Sequence, residues 1–254
     1  MASFIINTKA EFLKSRRTLA YRAALIAGIA LPVLYALGYI VYPKPFLVDL
    51  STVPWEAHAK SCLQMGAAFF PMYVTMITSL VVQTEYKNNT WKLVYTQPRS
   101  YADIFFSKFV VIQILIMGSL LLFVISIITT GYIADIFRPQ YAFFELPVPI
   151  AFLTSIAVRL YIACLCITAI QYWLSLRFKN YITSLGIGIG LTIMGMAILK
   201  WDKVIYFPYA YPILTYFKQM NIKGLARHEW YSLAGTAIAL VLGFWNMVRR
   251  KERG

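Results

Sequence analysis

Six apolar stretches separated by short polar segments set the frame of this 254-residue chain. They cover 19–41, 63–82, 109–130, 148–176, 181–199 and 231–248. Each is close to or above the ~20 apolar residues that a helix rising ~1.5 Å per residue needs to cross a hydrocarbon core of about 30 Å. Backbone amides inside lipid must be paired within their own segment, so the stretches predict six transmembrane helices and an all-α membrane protein.

Ahead of the first stretch, Phe4, Ile5, Ile6, Phe12 and Leu13 alternate with Asn7, Lys9, Glu11, Lys14 and Arg16 at helical spacing. This pattern predicts an amphipathic helix over 1–18, an elbow lying along the inner headgroup layer, with Thr8 and Glu11 spaced as a local cap. The membrane domain then occupies 19–248 and a basic tail 249–254. The first stretch is too long for a cleaved signal and lacks a small-residue cleavage site, so it is expected to be retained. Pro32 and Pro71 are positioned to kink the first two spans. Gly186 and Gly190 form a Gly-x-x-x-Gly pair suited to close helix packing. Between the last two stretches, Tyr206, Phe207, Pro208, Tyr209, Tyr211, Pro212, Tyr216 and Phe217 crowd rings and prolines into a segment too polar at its ends to span. An outer re-entrant region or short interfacial helices are expected there.

Charge gives the orientation. The two termini, the 83–108 connection and the 177–180 turn carry fifteen basic residues against four acidic ones, while the opposite side carries eight against six. By the positive-inside rule the first side, with both termini, is cytoplasmic. The net charge of +14 therefore reads as topology and attraction to anionic headgroups rather than as a nucleic-acid surface.

With 60% hydrophobic residues, little sequence remains for a separate soluble domain. Cys164 and Cys166 are two apart on one span and cannot pair; Cys62, near the outer side, is the one thiol open to a redox role. No Gly-x-x-x-x-Gly-Lys-Ser/Thr phosphate loop occurs, so ATP is not bound here by that route. His58 and His228, both expected in outer loops, are too few for a metal centre. No carboxylate lies at mid-span, which argues against an ion-coupled carrier. Arg159 in the fourth span is the one charge that looks buried, either facing a substrate path or snorkelling outward.

The 83–108 connection is more elaborate than a turn requires. It reads Thr84-Glu85-Tyr86-Lys87-Asn88-Asn89-Thr90-Trp91-Lys92-Leu93-Val94-Tyr95-Thr96-Gln97-Pro98-Arg99-Ser100. Asn89 or Thr90 is placed to cap a short helix, Trp91, Val94 and Tyr95 then share a face, and Pro98 ends it. A short cytoplasmic helix presenting an indole suits insertion into a groove on a partner protein.

Glu85, the Thr90-Trp91-Lys92-Leu93 run, the Pro98-Arg99-Ser100 ending and Lys108 at the next span resemble the second-to-third connection of type-2 ATP-binding-cassette (ABC-2) exporter permeases. The overall size is similar to the small permeases of the lantibiotic-immunity group. The resemblance implies a bacterial cytoplasmic-membrane protein in which 90–95 form a coupling helix seated on a separate ATPase subunit. That coupling loop would comprise Glu85, Tyr86, Thr90, Trp91, Lys92, Leu93, Val94, Tyr95 and Pro98. This chain would hold no cofactor; ATP and magnesium would belong to the ATPase, and a second permease, identical or a sister, would complete the exporter. An amphipathic peptide, lipid-like or drug-like substrate is the first expectation, with Phe69, Phe70, Met72, Tyr73, Met76, Met117 and Arg159 as candidate path residues. Two other classes stay open on the residues alone: an intramembrane enzyme relying on polar groups such as Arg159 and Gln171, and an assembly protein without transport.

Overall fold

A computed structural model describes residues 2–42, 54–87, 100–218 and 224–249. Among these residues there are helices and short 3-10 turns, and no strand. Helix α1 (Ala2–Ser15) is followed by α2 (Leu19–Val41), α3 (Pro54–Lys87), α4 (Tyr101–Phe137), α5 (Ile150–Arg177), α6 (Tyr181–Ala197), α7 (Tyr211–Lys218) and α8 (Arg227–Arg249). Five of them, α2, α3, α4, α5 and α8, are long and apolar enough to cross a membrane, whereas α6 is apolar but has 17 residues.

Several helices outrun their apolar stretches. Helix α3 begins at Pro54, well before residue 63, because His58 and Trp55 find partners in the protein and need no water. Helix α4 starts where Ser100 accepts the Asp103 N–H at 3.0 Å, a side-chain cap, and reaches Phe137. Pro32 and Pro71 both lie inside continuous helices. The segment 200–218 forms the 3-10 turns Val204–Tyr206 and Pro208–Ala210 and then α7, with Tyr209 and Tyr211 buried.

Contacts fix the helix directions. Helix α2 runs parallel to α4: Gly28 lies against Ser119 and Leu122, and further along the Tyr39 carbonyl accepts the Tyr141 hydroxyl. A Cβ at Gly28 would sit 2.8 Å from the Ser119 carbonyl oxygen, so this approach requires glycine. Helix α3 is antiparallel to α4, with His58 beside Ile127 and Thr130 at one end and Glu85 beside Lys108 at the other. Helix α6 is antiparallel to α3 through Ser184 beside Ser79 and Gly188 beside Thr75. Helices α5 and α8 are parallel: Arg159 pairs with Glu229, Cys166 meets Gly235 and Trp173 meets Gly243. The seven-residue step along α5 is the repeat that keeps one seam facing its neighbour.

Three expectations are corrected. His58 and His228 sit in helices α3 and α8, not in outer loops, and both are buried. His58 lies 3.0 Å from the Tyr39 hydroxyl through Nδ1 and 3.1 Å from the Ile127 carbonyl through Nε2; His228 lies 2.9 Å from the Thr215 hydroxyl. Cys62 is fully buried, so no thiol there is open to solvent redox chemistry. Thr8 does not cap a helix start: it sits inside α1 and donates to the Phe4 carbonyl.

Candidate functional site

The segment 88–99 is flanked by the last turn of α3 and the start of α4, and four charges meet at this root. Lys108 of α4 reaches Glu11 Oε2 at 2.5 Å and Glu85 Oε1 at 3.2 Å. Lys14 reaches Glu11 Oε1 at 2.9 Å and Glu85 Oε1 at 3.1 Å. Among the described residues, two carboxylates and two ammonium groups thus form a closed, charge-neutral box joining α1, α3 and α4. The local sequence supplies it simply. Asn7, Glu11 and Ser15 are spaced by four, so they share the buried face of α1, while Ile5, Ile6 and Leu13 are exposed.

Burial makes the box consequential. Glu85 and Lys108 are each 2% exposed, and an ion taken out of water costs on the order of several kcal/mol unless its partners replace the lost hydration. Burial pushes the Glu11 carboxyl up, but the adjacent Lys108 and Lys14 outweigh it and hold Glu11 below its ordinary value. Burial likewise lowers Lys14, and its contacts with Glu11 and Glu85 more than restore it, leaving it raised. Glu11 and Lys14 are therefore held in their charged forms by their partners in the box. Ser15, Val81 and Thr84 complete the lining of a small cavity at the box.

A second set of bonds leaves the same end of α3 on its other side. The Tyr86 hydroxyl donates to the Leu176 carbonyl at 2.7 Å. About two turns earlier on α3, Ser79 accepts from Gln171 Nε2 at 2.9 Å. Gln171 also donates to Ser184 Oγ and to its carbonyl, and Ser175 lies 2.8 Å from Ser184.

Of the residues singled out by sequence, Glu85 and Tyr86 stand at this root, whereas Thr90, Trp91, Lys92, Leu93, Val94, Tyr95 and Pro98 lie outside the described residues. The candidate path residues are not gathered on one surface. Phe69 and Met117 are exposed, Phe70 and Tyr73 belong to the packed core, and Met76 is packed against that core. Arg159 is neither free nor snorkelling: its Nε and Nη2 donate to the two carboxylate oxygens of Glu229 at 2.8 and 3.2 Å. Gln171 belongs to a different network, so Arg159 and Gln171 do not form a shared polar site. Gly186 and Gly190 face open space within the chain; the packing glycines of α6 are Gly188, where a Cβ would lie 2.5 Å from Gln171 Oε1, and Gly195, where one would lie 3.0 Å from the Tyr209 backbone. Glu11 as a partner of Lys108 was missed because 97 residues separate them. The one hint was an acid placed on the amphipathic helix among bases.

The amino-acid sequence matches the family described as ABC-2 family transporter protein over residues 8–195. Neither the curated proteins nor the solved structures contain a match to it. The matched span takes in the second half of α1, the charge box, both flanks of 88–99 and helices α2 to α5, with nearly all of α6. Residues 8–195 are well over half of a multi-pass helical chain, and the chain therefore belongs to the ABC-2 transporter family, as a membrane-embedded ABC transporter subunit of the kind that associates with a separate ABC ATPase.

Proposed function

We propose that this chain is the permease of an ATP-driven exporter, that 88–99 is its contact with the ATPase subunit, and that the Glu11–Lys14–Glu85–Lys108 box turns displacement of that segment into movement of the helices. The observation that carries the reading is the placement of the box. Buried charges in a membrane protein are expensive and mark function by default, and these four sit where the segment joins its flanking helices. A neutral box of short ion pairs is stiff against separation, since pulling one partner away strands the other in a low dielectric. Force applied to 88–99 therefore reaches α1 and α4 together.

In this reading the chain crosses the membrane six times with both termini cytoplasmic. The parallel pairing of α5 and α8 supports it, because α6 must then traverse in the opposite direction between them. α1 serves as an interfacial elbow, its exposed Ile5, Ile6 and Leu13 turned to lipid. Two permeases and two ATPases form the complex, the ATPases hold ATP and magnesium, and the cargo is an amphipathic peptide or a lipid-like or drug-like molecule. Self-protection against an antimicrobial peptide is one physiological role that fits.

The test is ATP hydrolysis and export by the assembled complex carrying Glu85→Gln. Loss of coupling, with hydrolysis no longer answering to transport while the chain inserts and assembles, is expected. Unchanged hydrolysis and export would refute the role given to the box.

A further inference from the structure

Resting on the reading of 88–99 as the ATPase contact, we infer that Gln171 is a positioning residue that carries displacement of α3 to α6 and to the segment 204–210. The end of α3 has two sets of attachments of different chemistry. The charged set leads to α1 and α4; the neutral set leads through Tyr86 and Ser79 to α5 and α6. Gln171 is the node of the neutral set. Its amide nitrogen donates toward Ser79 Oγ, Ser184 Oγ and the Ser184 carbonyl, all within 3.0 Å. Its amide oxygen accepts the Tyr209 hydroxyl at 3.5 Å.

Gln171 and Ser184 are fully buried, and Ser79 is 1% exposed, so water does not take over a bond that opens. In an apolar bundle the hydroxyl and amide groups must follow one another or be left unpaired, and helices so joined move together. Gly188 permits the arrangement, since any side chain there would meet Gln171 Oε1 and Thr75. Tyr209 lies at the far end of α6: its backbone abuts Gly195, while its ring reaches back towards Gln171. One side chain thus touches α3 about two turns before its end at Lys87, the first turn of α6, and the segment that follows α6. The response of 204–210 thus runs through this neutral set rather than through the charged one.

The experiment places an environment-sensitive fluorophore on Lys203→Cys in the permease purified with its ATPase. Lys203 is exposed, and the native thiols Cys62, Cys164 and Cys166 are all buried, so the introduced thiol is the accessible one among these. Emission is compared without nucleotide and after trapping with ATP and vanadate, in otherwise native chain, in Gln171→Met and in Tyr209→Phe. A shift in the native chain that falls to less than half in both variants, with the ATPase still co-purifying in equal amount, is the expected result. A full shift in both variants would overturn the role of Gln171 and leave the coupling reading standing. The absence of any shift in the native chain would overturn both. Tyr209→Phe deletes one hydroxyl and keeps the packing, so a folding defect in Gln171→Met does not decide the outcome.

Discussion

Lys108 Nζ stands between two carboxylates that are 74 residues apart in sequence, 2.5 Å from Glu11 and 3.2 Å from Glu85. Lys108→Met removes the ammonium that both acids share, and losing one partner of a buried pair costs about 3–5 kcal/mol. Adding Glu11→Gln leaves Lys14 and Glu85 balanced, so the double variant should recover part of the loss, with a coupling term on the order of 0.5–3 kcal/mol. Thermal unfolding in detergent of the four chains measures it; strict additivity would dissolve the box as a unit.

The same box predicts a pH window for docking of α1. Glu11 is held below its ordinary value, so its contribution is complete above the unfolded carboxyl value of 4.5 and is lost as pH falls through the lower folded one. Lys14 is raised, so its contribution is complete below the unfolded value of 10.5 and is lost as pH rises through the higher folded one. Hydrogen-exchange protection across 2–15, relative to the unstructured rate at each pH, should therefore stay high between these limits and fall at the acid extreme first in Lys108→Met. Protection that declines steadily through neutral pH would contradict the assignment.

Arg159 and Glu229 fix how α8 lies on α5. Arg159→Met leaves a fully buried carboxylate whose remaining described partner is the Ala226 N–H at 2.6 Å, a loss of about 3–5 kcal/mol. Arg159→Met with Glu229→Leu removes both charges and should be far closer to the native chain, since apolar replacements of buried pairs are often neutral. Melting temperatures of the single and double variants decide; equal damage in both would mean that the pair does not act through its charges.

The two kinds of glycine on α6 should separate cleanly. Gly188→Ala introduces a Cβ 2.5 Å from Gln171 Oε1 and 2.8 Å from Thr75, overpacking that costs about 1–3 kcal/mol. Gly186→Ala and Gly190→Ala meet nothing within 4 Å in the chain and should leave its monomeric stability within about 0.5 kcal/mol. Should the latter pair weaken self-association without unfolding the chain, the open face of α6 would be where a second permease sits.

Much of this architecture was legible from hydropathy alone. Five of the six apolar stretches mark helices long enough to span, and the run of rings and prolines after 200 marks short turns and a short helix. What hydropathy could not show were polar residues satisfied by distant partners. His58 finds Tyr39 and Ile127, Glu229 finds Arg159 seventy residues away, and Lys108 finds Glu11, so charges and imidazoles that read as loop or connection residues are interior. The glycine spacing did not show which face of α6 packs within the chain, for a related reason. Gly-x-x-x-Gly selects one face of α6, and the packed face turns out to be the one bearing Ser184 and Gly188. At the candidate site, Glu85 and Lys108 were found because they flank an unusual connection, but the second half of the box lies on α1, where an amphipathic pattern conceals an internal acid.

The most direct test of the account is to purify the tagged chain gently from native membranes and identify what accompanies it, with and without Trp91→Ala. An ABC ATPase recovered in about equal amount with the native chain and lost with Trp91→Ala is the predicted result, given that a buried aromatic anchor carries much of a small interface. An ATPase retained undiminished by Trp91→Ala, or none recovered with the native chain, would contradict the claim that 88–99 is where this permease meets its motor.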